Sequence, residues 1–241
     1  MRRWKSVASA ARLRWHRLGS VGDDEVLALQ TPNQDASPVW DAYFSAGVHG
    51  DEPAGTEALL EWASHNTEWL ATHRVLIIPC WNPWGMRENS RRLPDGQDLN
   101  RMFNRKRSPL IRAWYRIMGR RSFAMAYTFH EDYDATGLYV YEVATGRKTF
   151  GPQVVEAGSH LIPIDSRKQI DGNRVRAAGW ICRKIRPERF ETMGLPEAVC
   201  LYLDFNVPSV FTFETPSECD LDLRIQAQVA MLNSALRLQG F

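Results

Sequence analysis

The stretch GVHGDEPAG, residues 47–55, places a histidine, two acids and a proline directly after the apolar run AYFSA. The run reads as a buried strand, and TEALLEWASH after Pro53 reads as a helix. His49, Asp51 and Glu52 therefore fall in the tight turn between strand and helix, where open α/β sheets place their working groups. His49 and Glu52 form H-x-x-E, and imidazole nitrogen with carboxylate oxygen suits zinc. The same residues also have a plain structural use. Asp51 could cap the helix, and Glu52 could favour its positive end. A catalytic zinc often has three protein ligands and one open place. His130, which ends the run SFAMAYTF, is the best third donor. His16 lies in the N-terminal segment, His65 and His73 flank a helix–strand connection, and His160 lies beyond a helix.

Two further groups could complete the chemistry. The loop NPWGMRENSRRLPDGQDLNRMFN (82–104) carries four arginines and the run DLNR at 98–101. A solvated basic loop is the bland reading, but a loop of this length in a compact domain usually has a function. Asn100 beside Arg101 suits binding of a carboxylate, and a further arginine near a metal could stabilise an oxyanion. Glu214, in FTFETP, could take a proton from an activated water and return it to a leaving amine. It could equally be a capping acid before the last helix.

The elements that must position these groups alternate between strand and helix, which predicts an α/β fold. Strands are expected at 25–30, 40–48, 73–82, 122–129, 137–144 and 208–214, with LRWHRLGSV as an opening strand paired with EVLALQ. Helices are expected near 53–65, 108–121, 151–160 and 217–239. In the last, Leu221, Ile225, Val229, Leu232 and Leu236 share one face, and Ser217 offers a cap. Residues 161–206 mix loops with short apolar pieces and read least clearly. Four apolar runs lead into polar groups: His49, Asn82, His130 and Glu214. In a mainly parallel sheet these C-terminal ends share one edge.

The chain of 241 residues is treated as a single catalytic domain, 1–241, long enough for a sizeable core. A net charge of +2 gives no case for a general nucleic-acid surface, and no segment approaches the ~20 apolar residues of a membrane span. Cys80, Cys182, Cys200 and Cys219 are scattered, as expected of thiols in a reducing, cytoplasmic setting. The basic N-terminus has no acid before Asp23; Arg12 and Arg14 interrupt any secretory core, and its composition fits an organellar transit segment better.

Four motifs together resemble the zinc carboxypeptidases of the carboxypeptidase A type, in the broad group that also holds succinylglutamate desuccinylases and aspartoacylases. These are GVHGDEPAG, NPWG with DLNRMFN, TFHED, and FTFETP, in the family's order over residues 44–216. The resemblance implies a three-layer α/β/α sandwich with a mixed, mainly parallel sheet. It implies Zn2+ held by His49, Glu52 and His130, and Glu214 as general base and acid. Asn100 and Arg101 would hold a substrate's terminal carboxylate. Arg91 would polarise the scissile carbonyl, with Arg87 and Arg92 close enough to compete. The family also sets a tyrosine over the substrate, and here only Tyr202 offers itself, in an apolar run that reads as core. The expected substrate is a peptide, including murein-type peptides, or an N-acyl amino acid with a free carboxylate. Aspartoacylase types carry a β-rich domain after the catalytic glutamate. The 27 residues after Glu214 read as one helix, which favours the peptidase or amidase branch over the deacylase.

Overall fold

The computed structural model describes residues 2–32, 38–145, 148–182 and 184–241. The strands are β1 (Arg14–Val21), β2 (Asp24–Gln30), β3 (Val39–Ala46), β4 (Val75–Ile78), β5 (Ser122–Asp132), β6 (Tyr139–Ala144), β7 (Gln169–Ile170), β8 (Asn173–Arg174), β9 (Trp180–Cys182) and β10 (Ser209–Pro216). The helices are α1 (Arg2–Ala10), α2 (Pro53–His65), α3 (Thr67–Thr72), α4 (Pro83–Glu88), α5 (Pro109–Met118), α6 (Gly151–Ser159), α7 (Phe190–Met193), α8 (Glu197–Asp204) and α9 (Leu221–Leu238).

Eight strands form one sheet in the order β1-β2-β4-β3-β5-β10-β6-β9, and β7 pairs with β8 in a small hairpin. The central strands β4, β3, β5 and β10 run parallel, while β2 and β6 pair antiparallel at their flanks. Strands buried on both faces need apolar residues throughout, and β4 shows this in four residues. Val75 and Ile77 enter the core on one side, Leu76 and Ile78 the core on the other. The first side is covered by α1, α2, α6 and α9, the second by α5 and α8. This is the expected α/β/α sandwich with a mixed, mainly parallel sheet.

Some elements differ from the sequence expectation. Residues 2–10 form α1, because Trp4, Val7 and Ala8 pack into the first core. The opening strand and its pairing with β2 stand as expected. The 82–104 loop is not wholly irregular. Asn82 accepts a hydrogen bond from the Gly85 N–H and Pro83 opens α4; Asp98 likewise accepts from the Asn100 N–H and starts a 3-10 turn at Leu99–Arg101. The last helix is capped by Asp220, which accepts from the N–H groups of Asp222 and Leu223; Ser217 is not its cap. Leu221 is exposed, while Ile225, Leu232 and Leu236 of the expected face are buried, together with Arg224 and Gln228.

Segment 161–206 is organised by contact with the 98–103 segment. Met102 bridges to Leu195, and the Phe103 N–H donates to the Leu195 carbonyl at 3.1 Å. Gly194 adopts φ +75°, and a Cβ there would stand 2.1 Å from the Arg101 carbonyl oxygen. Only glycine allows that approach without movement of the backbone.

Candidate active site

The parallel centre of the sheet brings the sequence-distant groups to one edge. Glu214 and His130 are direct partners in the β10–β5 register, and His49 lies just past the end of β3. Together with Glu52 they line a pocket of about 390 Å³, which Arg91, Asn100 and Arg101 also line. Asn82, the fourth strand-end group, serves α4 instead: it caps Gly85 and donates to the Arg92 carbonyl.

Glu52 occupies the N-cap position of α2, yet its side chain makes no capping bond. Its carboxylate faces His49 Nδ1 at 2.6 Å and His130 Nδ1 at 3.0 Å, and accepts from Arg91 at 2.8 Å and from the Glu131 N–H at 3.2 Å. The helix N-terminus is served from β5: Glu131 accepts the Ala54 N–H at 2.8 Å and pairs with Arg224 of α9. Asp51 therefore does not cap the helix, and Glu52, although it stands at the helix's positive end, makes its hydrogen bonds elsewhere. Asp51 Oδ1 is buried at the pocket without a hydrogen-bond partner among the described residues.

One ligand atom from each of His49, Glu52 and His130 lies within 4.8 Å of the others, and all three residues are buried. This donor set could hold a metal ion, with the borderline nitrogen and carboxylate chemistry that zinc takes. The other ring nitrogen of His49, Nε2, faces Asp98 at 3.3 Å, the kind of carboxylate support that fixes a liganding imidazole. On the far side, Gln228 donates to the His130 carbonyl at 2.9 Å and to Thr215 at 2.8 Å, fixing the backbone of β5 against β10.

The electrostatics follow from burial against neighbouring charge. Burial alone would raise the Glu52 carboxyl, but His49 and His130 overcome it and hold its pKa well down. Burial opposes a charged His49, yet Glu52 and Asp98 leave its pKa raised. Asp98 is brought down to about 2, its burial outweighed by His49. Burial keeps the His130 pKa low. Glu214 is pushed up, by burial first and then by Glu52, Asp132 and Asp171. It is 9% exposed, and its carboxyl makes no hydrogen bond to a described residue.

Among the arginines that compete for the site, Arg91 is the one that lines the pocket. Arg87 pairs with Asp24 and Glu88, and Arg92 donates to the Gly96 carbonyl. Tyr202 lies half-buried against the second core, as its apolar run suggested. The tyrosines that line the pocket are Tyr133, Tyr139 and Tyr141. Tyr139 donates to Asp132 at 2.9 Å and Tyr141 to Asp171 at 2.8 Å. Sequence reading missed Tyr139 and Tyr141, because GLYVYEVA looks like plain strand. It missed Asp98 although DLNR contains it, and it missed Glu131, which follows His130 directly. Glu197 had no local signal. It lies buried in α8, accepting from Tyr43 at 2.5 Å and Trp81 at 2.9 Å, while its N–H donates to Asn100 Oδ1 at 3.0 Å.

The comparisons agree with this architecture. The family model of the succinylglutamate desuccinylase/aspartoacylase catalytic domain matches residues 38–117. No curated protein matches the chain in sequence. Among solved structures, a candidate metallopeptidase of Shewanella amazonensis SB2B superposes with TM-score 0.82 at 24% identity, over 98% of this chain and 91% of that one. A metallo-carboxypeptidase of Burkholderia cenocepacia gives 0.68 at 17% identity, over 98% and 67%. The murein-tripeptide amidase MpaA of Escherichia coli O157 gives 0.56 at 16% identity, over 91% and 90%. Residues 38–117 thus resemble the desuccinylase/aspartoacylase catalytic domain, and the chain as a whole shares the fold of the metallopeptidase structures on which it superposes.

Proposed function

We propose that the protein is a zinc-dependent hydrolase that cleaves the amide bond before a residue with a free carboxylate, as a carboxypeptidase or a murein-type peptide amidase. The observation that carries this reading is the convergence of His49, Glu52 and His130 beside an unpartnered Glu214 in one pocket with Arg91, Asn100 and Arg101. His49, Glu52 and His130 would hold the zinc, which when bound supplies an acidified water and polarises the scissile carbonyl. Glu214 accepts the proton of the attacking water and delivers it to the leaving nitrogen. Arg91, set at the rim of the metal ligands, stabilises negative charge developing on the carbonyl oxygen. Arg101 pairs with the terminal carboxylate and Asn100 donates a second hydrogen bond through its amide, its oxygen being held by Glu197.

A second reading, a deacylase of N-acyl amino acids, is supported by the family match over residues 38–117. The two separate in one competition assay on zinc-loaded protein, read by mass spectrometry, with free-acid peptides, murein tripeptide and N-acyl amino acids together. Chelator-sensitive release of a C-terminal residue is the expected result. Cleavage of only the N-acyl amino acids would replace the peptidase reading with the second.

A further inference from the structure

Beside the catalytic pocket lies a second hollow of about 620 Å³. Arg174, Arg176, Lys184, Arg186 and Arg189 line it, and among the described residues no acidic side chain does. The two hollows meet at consecutive residues. Asp171 lines the first and Gly172 the second; Phe190 and Arg189 divide in the same way. None of the five cations makes a side-chain hydrogen bond or ion pair with a described residue. This contrasts with other cations around the cleft: Arg91 pairs with Glu52, Arg167 with Asp132 and Asp165, and Arg224 with Glu131.

Like charges gathered around one concavity repel each other and raise the local concentration of anions. Four of the five are arginines, whose planar fork accepts a carboxylate through two parallel bonds. All five are exposed, and five cations around one hollow suit several charges carried on a chain. Asp171, at the boundary, is engaged by the Tyr141 hydroxyl. The positive hollow therefore opens beside a site that cuts a chain at its end.

We propose that this hollow binds an anionic stretch of the substrate, a peptide bearing several carboxylate side chains whose terminus reaches the catalytic pocket. The identity of that chain as substrate rests on the peptide-hydrolase reading, while its binding is measurable apart from turnover. Fluorescence anisotropy with dye-labelled hexaglutamate amide and hexaglutamine amide gives the binding test. The acidic peptide should bind at least ~10-fold more tightly, given that each charge-assisted pair is strong. The preference should shrink between about 0.05 and 0.3 M salt and fall by about threefold or more in the double variant Arg174→Ser/Arg186→Ser. In turnover, peptides with one C-terminal residue but Glu or Gln upstream should differ in KM, with kcat unchanged. Equal binding of the two peptides, or a preference unchanged in the double variant, would overturn the proposal. Displacement of hexaglutamate by pyrophosphate at far lower concentration than by glutamate peptides would overturn the carboxylate assignment in favour of a phosphate group. Binding of the acidic peptide without cleavage of any peptide would uphold the hollow and remove the hydrolase reading; cleavage with no acidic preference would do the reverse.

Discussion

Glu214 differs from Glu52, Asp98 and Glu131 in that its carboxyl has no hydrogen-bond partner among the described residues. Asp98 and Glu52 face histidines, and Glu131 faces Arg224, but Glu214 stands in the pocket with its carboxyl pushed up by burial and by Glu52. A group held this way is suited to gaining and losing a proton, and a cation bound beside it would draw its pKa down. Glu214→Gln should keep the fold and the metal content while lowering kcat by about a thousandfold. Metal analysis alongside single-turnover rates checks this, and rates like those of the native protein would remove Glu214 from the mechanism. Arg101 has a separate task. Its guanidinium donates to the adjacent Asn100 carbonyl and lines the pocket. Arg101→Ala should lower kcat/KM for free-acid peptides by about 10–100-fold and leave amidated peptides nearly unaffected. An equal loss on both would show that the carboxylate is anchored elsewhere.

At the scale of elements, the site depends on an exchange of duties. Glu52 can face two histidines because Glu131, from β5, serves the α2 N-terminus in its place. Gly50 allows the turn its position, since a Cβ there would stand 2.0 Å from the backbone carbon of Gly85 at α4. The exchange buries Glu131, whose carboxyl rises to about 6 through burial, against the Ala54 N–H and Arg224 that favour its charge. Arg224→Ala would leave that carboxylate uncompensated and should destabilise the protein by about 3–5 kcal/mol in urea unfolding. The sign of the pH dependence follows. A carboxyl whose folded pKa lies above its unfolded value loses stability as pH rises between the two values. Without Arg224 the folded value rises further, so the defect should be larger near pH 7.5 than near pH 5. Adding Glu131→Gln should recover part of the loss; a variant defect independent of pH would show that the charge is not its cause.

Across the whole molecule, Glu197 joins parts that chain order separates. It sits in α8, receives hydrogen bonds from Tyr43 of β3 and Trp81 past β4, and its N–H holds Asn100. Complete burial pushes its carboxyl from 4.5 to about 7, even with those donors. Folding therefore weakens as pH rises from about 4.5 to about 7, on the order of 3 kcal/mol for this group. Glu197→Gln keeps an oxygen for Tyr43 and Trp81 but has no proton to lose. Its stability should stay flat over that window, measured by urea unfolding at several pH values. An unchanged slope would place the titration in another group. The second hollow belongs to the same scale, because segment 161–206 both packs on residues 101–103 through Gly194 and Leu195 and presents the five cations that pair with no described residue.

The local pattern of the sequence determined β1 to β6 and β10, the turn after β3, and the four motifs whose order carries the resemblance. It also determined that His49, His130 and Glu214 share an edge, because parallel strands align their C-terminal ends. These are consequences of residue type and short-range period, which neighbouring residues report directly. Only the tertiary structure decided which acid caps α2, which of Arg87, Arg91 and Arg92 reaches the pocket, and what Asp98 faces. Each choice compares partners brought together from distant segments: Glu131 against Glu52 at one helix end, Asp24 and Glu88 against Glu52 for the arginines. Segment 161–206 stayed unreadable for the same reason. Its short strands and helices are held by Leu138, Arg101 and Phe103 more than by their own periodicity, so their form follows from what they pack on.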